Sequence, residues 1–175
     1  MRIFIAIEMP EKIKEKLREI QEEFKDSGKI IFAKDFHLTL KFLGEISEIK
    51  SKRVRDRLKG LSFKEFKLNL NGFGVFPNRD FIRVLWVGVS PERKVKDLQV
   101  KIDERLRDMF GVGQDFKGHI TLGRVKFIKD KKEVLDKLDK LEFNESFNVG
   151  NLKLFESVLG ENGYEHKVLE VYNDG

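Results

Sequence analysis

One tetrapeptide pattern is written twice in this chain, and the double copy constrains the fold more than any other feature. His37-Leu38-Thr39-Leu40 lies within Phe36 to Gly44, and His119-Ile120-Thr121-Leu122 lies within Lys117 to Arg124. Each is His–x–Thr set among apolar residues, and together they use two of the three histidines in the chain. The repetition extends outward. Arg2-Ile3-Phe4-Ile5-Ala6-Ile7 is echoed by Arg83-Val84-Leu85-Trp86-Val87-Gly88, and each run leads to a proline, Pro10 and Pro91, 81 residues apart. The histidines stand 82 apart, and the Phe-rich runs opening at Phe63 and Phe143 stand 80 apart. A solenoid needs several shorter units, so one long repeat in 175 residues reads as a duplicated lobe.

Residues 2 to 7 are β-rich and apolar throughout, as in a strand buried on both faces. Pro10 and Pro91 stand where a helix can begin, since its first turn needs no N–H there. Ile13, Leu17, Ile20 and Phe24 then form one apolar helical stripe, and Val95, Leu98, Ile102, Leu106 and Met109 form another. Ile30-Ile31-Phe32 makes a short strand. A basic helix over 46 to 59 turns Ile49, Val54 and Leu58 inward, and a shorter one spans 131 to 140. Phe66, Leu68 and Leu70 share one strand face. Phe76 to Asp80 reads as a turn, and Asn162-Gly163 as the tip of a closing hairpin.

No linker or low-complexity segment parts the halves, so 1–175 reads as one domain with lobes of about 1–80 and 81–175. The polar–apolar alternation of the His–x–Thr strands suits antiparallel sheets with one open face. The expected class is α+β: a bilobal duplicated fold in which two antiparallel sheets face a central cleft, helices lie outside and a pseudo-two-fold axis relates the lobes.

With no cysteine, disulfides and thiolate metal sites are excluded. No apolar run approaches the ~20 residues of a membrane helix, and a cytoplasmic monomer is expected. Charged residues make up 37 %, rich in Lys and Glu, a balance that resembles hyperthermophile proteins. The net charge of +5 suits a solvated surface and a polyanionic partner such as RNA equally well.

The chemistry follows from spacing. Residues i and i+2 of a strand lie ~6.6 Å apart on one face, so a histidine and a threonine so placed can touch one small ligand together. Two such strands about a two-fold axis would offer two imidazoles and two hydroxyls. Imidazole titrates near pH 6.5, so one ring can take a proton while the other gives one. Threonine hydroxyls can donate to the anionic oxygens of a phosphorus undergoing in-line displacement. A single His–x–Thr is ordinarily structural; two copies in register reverse that weighting. His166 sits in a charged hairpin, no zinc-like cluster is seen, and neither metal nor cofactor is expected.

Taken with the closing Leu154-Phe155-Glu156-Ser157 and Gly163-Tyr164, these motifs resemble the 2H phosphoesterases, nearest the RNA 2′,3′-cyclic phosphodiesterase group, historically called 2′-5′ RNA ligase. The resemblance spans essentially the whole chain. It implies a bilobal α+β fold and metal-free hydrolysis of a terminal 2′,3′-cyclic phosphate to a 2′-phosphate. It casts His37 as general acid, His119 as base, and Thr39 and Thr121 as holders of phosphoryl oxygens. Pseudo-symmetry makes the two histidines interchangeable as far as sequence goes. Run backwards, the chemistry gives ATP-independent 2′-5′ joining. The implied partner is RNA with a cyclic phosphate end, tRNA fragments among the candidates. Gly118 departs from the proline usual before the second histidine.

Three further residues are candidates for substrate binding. Arg124 follows the second motif, where the resemblance implies a phosphate or base contact. Lys41 shares the histidine face on period two and could attract phosphate. Phe42 could stack on a base, though period two turns it toward the core. Arg79 and Trp86 lie near the lobe junction, where a strand tryptophan is usually core, and Tyr164 reads as hairpin packing. Two rival functions remain: a non-catalytic RNA-binding module, against which all four motif residues argue, and a phosphodiesterase for a small cyclic nucleotide.

Overall fold

The computed structural model describes residues 1–113 and 115–175. Within them lie nine strands and four helices: β1 (Arg2–Glu8), α1 (Glu11–Glu22), β2 (Gly28–Phe32), β3 (His37–Glu45), α2 (Glu48–Leu58), β4 (Phe66–Pro77), β5 (Ile82–Ser90), α3 (Glu92–Phe110), β6 (His119–Ile128), α4 (Lys131–Lys140), β7 (Asn144–Val149), β8 (Asn151–Gly160) and β9 (Gly163–Asn173). A four-stranded sheet runs β3-β1-β8-β9 and a five-stranded sheet runs β2-β6-β5-β4-β7. Every pairing is antiparallel. The α+β class with two antiparallel sheets is therefore as expected.

Sheet membership does not follow the two halves of the chain. Each sheet draws strands from both halves: β8 and β9 return to the sheet of β1 and β3, while β2 and β4 join that of β5 and β6. A cut near residue 80 would fall in the turn between β4 and β5, which are hydrogen-bonded neighbours. Asn78 shapes that turn, its side-chain oxygen accepting from the Asp80 and Phe81 N–H groups at 3.0 Å each.

The duplication survives in the central pairs. β1 pairs with β3, and β5 with β6, in equivalent registers: Glu8 faces His37 and Ala6 faces Thr39, as Gly88 faces His119 and Trp86 faces Thr121. Along β1 the odd residues Ile3, Ile5 and Ile7 enter the main core, which also takes in Leu85, Val87, Val89 and the stripes of the helices. The even residues Phe4 and Ala6 form a separate cluster with Phe155 on the other face. A strand packed on both sides needs the unbroken apolar run that β1 has.

The helices start and stop for legible reasons. Ser47 caps α2 by accepting from Lys50 N–H at 3.2 Å, and Asp130 caps α4 by accepting from Glu133 N–H at 3.1 Å. One inward residue was misplaced: Ile49 is 76 % exposed. Because α2 begins at Glu48, Ile49 sits in its first turn, and the buried stripe is Ser51, Val54 and Leu58 at i, i+3 and i+7.

Candidate active site

Both histidines open their strands, and a bulge follows each motif at the same place. In β3, Ala6 faces Thr39 and Ile5 faces Lys41, so Leu40 is the extra residue. In β6, Trp86 faces Thr121 and Leu85 faces Gly123, so Leu122 is the extra residue. An extra residue reverses which way the rest of the strand points. Leu40 and Lys41 are consequently both buried, and Phe42 emerges on the His37 and Thr39 face, 63 % exposed. Arg124 emerges exposed at the equivalent place beyond Thr121.

Two sequence expectations change here. Phe42 is not turned into the core; its ring lies 5.8 Å from Phe4 on the histidine side. Lys41 does not share that side. It is buried and paired with Asp103 of α3 at 2.5 Å. Asp103 also accepts from Gln99 Nε2 at 2.7 Å and from Gly113 N–H at 2.9 Å, so this buried network fastens β3 to α3. An ammonium so engaged is unavailable to a ligand.

The two motif-bearing strands approach each other. β3 and β6 approach within 8 Å at their Cα atoms. A β-carbon placed on Gly118 would lie 3.6 Å from Leu38 Cδ1 and 3.0 Å from Val89 Cγ2, so the residue before the second histidine packs on the residue after the first. Ala33 N–H donates to Leu122 O at 2.9 Å, tying the approach to β3 onto the second motif.

His37 is packed among rings. Phe4 lies 4.9 Å away between centroids, Phe155 6.1 Å, and His166 5.0 Å with the planes at 87°. Burial, reinforced by the charge on His166, lowers its pKa to about 4. Around it runs a chain of ion pairs: Lys14 to Glu8 at 3.0 Å, Lys14 to Asp35 at 2.6 Å, and Lys153 to Glu8.

His119 is held differently. Its Nδ1–H donates to Lys117 O at 2.8 Å. A carbonyl only accepts, so the neutral ring keeps its lone pair on Nε2. Phe76 meets it edge-on at 4.8 Å, with Trp86 at 6.3 Å. Trp86 in turn lies over Gly74, where a β-carbon would stand only 2.1 Å from the indole. Burial lowers the His119 pKa, and its bond to Lys117 O opposes the shift. An open recess of about 430 Å³ beside it is lined by Phe73, Trp86, Gly88, Lys117 and Gly118, among others.

Thr39 and Thr121 are half-buried two residues beyond their histidines, on the same faces. Among the described residues, no group of three or more His, Cys, Asp or Glu is arranged to hold a metal ion. No helix among them is long and apolar enough to cross a membrane.

Sequence reasoning passed over His166, which joins the His37 ring cluster. The hairpin signal could have placed it across from Ser157, as it is; only the pairing of β8 with β1 brings both beside His37.

A family profile described as LigT like Phosphoesterase matches the chain twice, over residues 7–86 and 87–164. An RNA 2′,3′-cyclic phosphodiesterase of Methanocaldococcus jannaschii is 38 % identical over 97 % of this chain and 99 % of its own. One from Archaeoglobus fulgidus is 37 % identical, over 98 % and 99 %. Among solved structures, E. coli LigT complexed with 3′-AMP superposes with a TM-score of 0.79 at 25 % identity, covering 99 % of this chain and 96 % of that one.

Proposed function

Because this chain belongs to the LigT-like phosphoesterases, we propose that it hydrolyses RNA ends carrying a 2′,3′-cyclic phosphate and leaves a 2′-phosphate. The supporting observation is the pair of His–x–Thr motifs, set in equivalent register on two duplicated strand pairs that meet at Leu38 and Gly118. Relatives of matching length carry the name of this activity.

In this reading His119 is the base. Its Nδ1–H is committed to Lys117 O, which leaves Nε2 to take a proton from water as the water oxygen attacks phosphorus. The bond from phosphorus to the ribose 3′-oxygen breaks, and His37 gives that oxygen a proton. Thr39 and Thr121 donate to the two non-bridging oxygens, where negative charge is concentrated. A ring with a pKa of about 4 is neutral at pH 7, so the imidazolium form of His37 must arrive with substrate. A bound phosphodiester anion raises the pKa of the imidazole beside it.

Arg124 and Phe42 occupy equivalent positions beyond the bulges and divide the remaining recognition. The guanidinium takes phosphate oxygens or a base edge, and the exposed ring stacks on a base. A 5′-hydroxyl in place of water gives 2′-5′ joining with no ATP. The chain acts as a monomer in the cytoplasm, on RNA ends that include tRNA fragments.

One incubation tests the reading: RNA ending in a 2′,3′-cyclic phosphate, with EDTA present, followed by determination of which hydroxyl keeps the phosphate. A 2′-phosphate is expected. A 3′-phosphate, or binding without turnover, would sink the proposal.

A further inference from the structure

The third histidine has no part in the reaction as written, yet its surroundings are specific. His166 lies on β9 opposite Ser157 of β8, and its Nδ1 is 3.2 Å from Ser157 Oγ. It stands edge-on to His37 at 5.0 Å and 87°, and edge-on to Phe4 at 5.0 Å and 80°. Phe4 faces Phe155 across β1 and β8, so the rings of four strands meet on one sheet face.

We infer that His166 is a positioning residue for His37: anchored by Ser157, it fixes the plane of that imidazole and limits the pair to one positive charge. The inference rests on the proposed catalytic role of His37. Two unit charges 5.0 Å apart oppose each other by about 0.6 pH units under full water screening, and by about 2.4 at an effective dielectric of 20. The half-buried pair lies between these limits.

The other charges facing the pair act in both directions: Asp35 and Glu8 favour the charged form of His37, and Lys14 opposes it. Glu8 on β1 is bridged by Lys14 of α1 and Lys153 of β8, and Asp35, just before β3, is bound by the same Lys14. Burial lowers the pKa of His166, Asp35 opposes that shift, and Arg2 on β1 adds to it. The two carboxylates are thus already engaged by ammonium groups. His37 and His166 titrate as a coupled couple whose apparent values belong to both rings. Burial and this coupling keep His37 uncharged until an anion enters, which reserves its proton for the leaving oxygen.

With three histidines in the chain, imidazole NMR can follow each ring from pH 4 to 8. Replacing His166 by Phe keeps an edge-on ring and removes the charge. The His37 midpoint should then rise by about one pH unit, with His119 unmoved. In His37→Ala the His166 midpoint should move much less, because His166 takes its proton first, while His37 is still neutral. The acid limb of kcat/KM should move with the His37 midpoint in His166→Phe, and His166→Gln serves if the Phe variant folds poorly. A His37 midpoint within about 0.2 units of wild type in both variants would overturn the inference. Full hydrolysis by His37→Ala would instead remove its catalytic context, a different result read in a different protein.

Discussion

The two histidine strands are built to one plan and supported by unlike materials. His119 is oriented by a hydrogen bond from its own Nδ1–H to a carbonyl two residues back, and aromatic rings close one side of it. His37 has its ring position set by packing against Phe4, Phe155 and His166. A hydrogen bond chooses a tautomer; packing chooses a plane and strips away water. The first arrangement makes a ring with a free lone pair. The second makes one that is uncharged at neutral pH unless something negative lies beside it. Duplication supplied the symmetry, and neighbours contributed by other strands removed it.

The sharpest way to break this comparison is to delete each ring in turn. His37→Ala and His119→Ala should each lower kcat for cyclic-phosphate RNA by about 10²–10⁴, with the double variant little worse than either, because the rings act on one proton-transfer cycle. Single-turnover rates check this. Equal residual activity in both single variants, near wild type, would remove the basis for treating the strands as a catalytic pair.

Beyond the bulges the strands differ again: Lys41 in β3 occupies the place of Gly123 in β6. Lys41→Ala leaves Asp103 buried without its cation and should cost about 3–5 kcal/mol in urea unfolding. Turnover per folded molecule should change far less. A large loss of kcat with unchanged stability would return Lys41 to the substrate.

Acid titration sharpens the contrast in supports. The unfolded chain protonates His37 near pH 6.5, whereas the native ring does so near 4. The unfolded state therefore binds more protons in that window, and stability falls as pH drops from about 6.5 to about 4. The part due to His37 is on the order of 3 kcal/mol, and His37→Gln should remove it from the pH dependence of unfolding. His119→Gln should remove less, since its bond to Lys117 O opposes the effect of burial.

The smallest effects concern recognition. Phe42→Ala should weaken RNA binding by about 1–3 kcal/mol, with little dependence on salt, as loss of a stacked base does. Arg124→Ala should weaken it by a similar amount and flatten the slope of affinity against salt, as loss of one phosphate contact does. Identical salt slopes in the two variants would mean that the positions are not specialised.

Much of this could be read from residues alone, and the failures share a cause. The duplication, the helix starts at the prolines, the closing hairpin and the His–x–Thr faces are local patterns, and local patterns survive folding. Period two failed at Leu40 and Leu122, because nothing in the sequence marks where a strand takes an extra residue. That one slip sent Lys41 to the wrong face and Phe42 to the other. His166 was invisible for a different reason: the Asn162-Gly163 turn sets it against Ser157, but no local signal says that β8 lies beside β1. The exchange of strands between the halves was hidden likewise, since sheet membership is decided by distant pairing.

The exchange of strands between halves carries a consequence for the chain as a polymer. Severed within the Asn78–Phe81 turn, neither fragment could complete a sheet by itself, because each would hold pieces of two and the whole of none. Their exposed ladders are nevertheless matched to each other along β4 with β5, β1 with β8 and β2 with β6. Mixing the fragments should therefore restore one interlaced body, with His37 and His119 delivered by separate molecules.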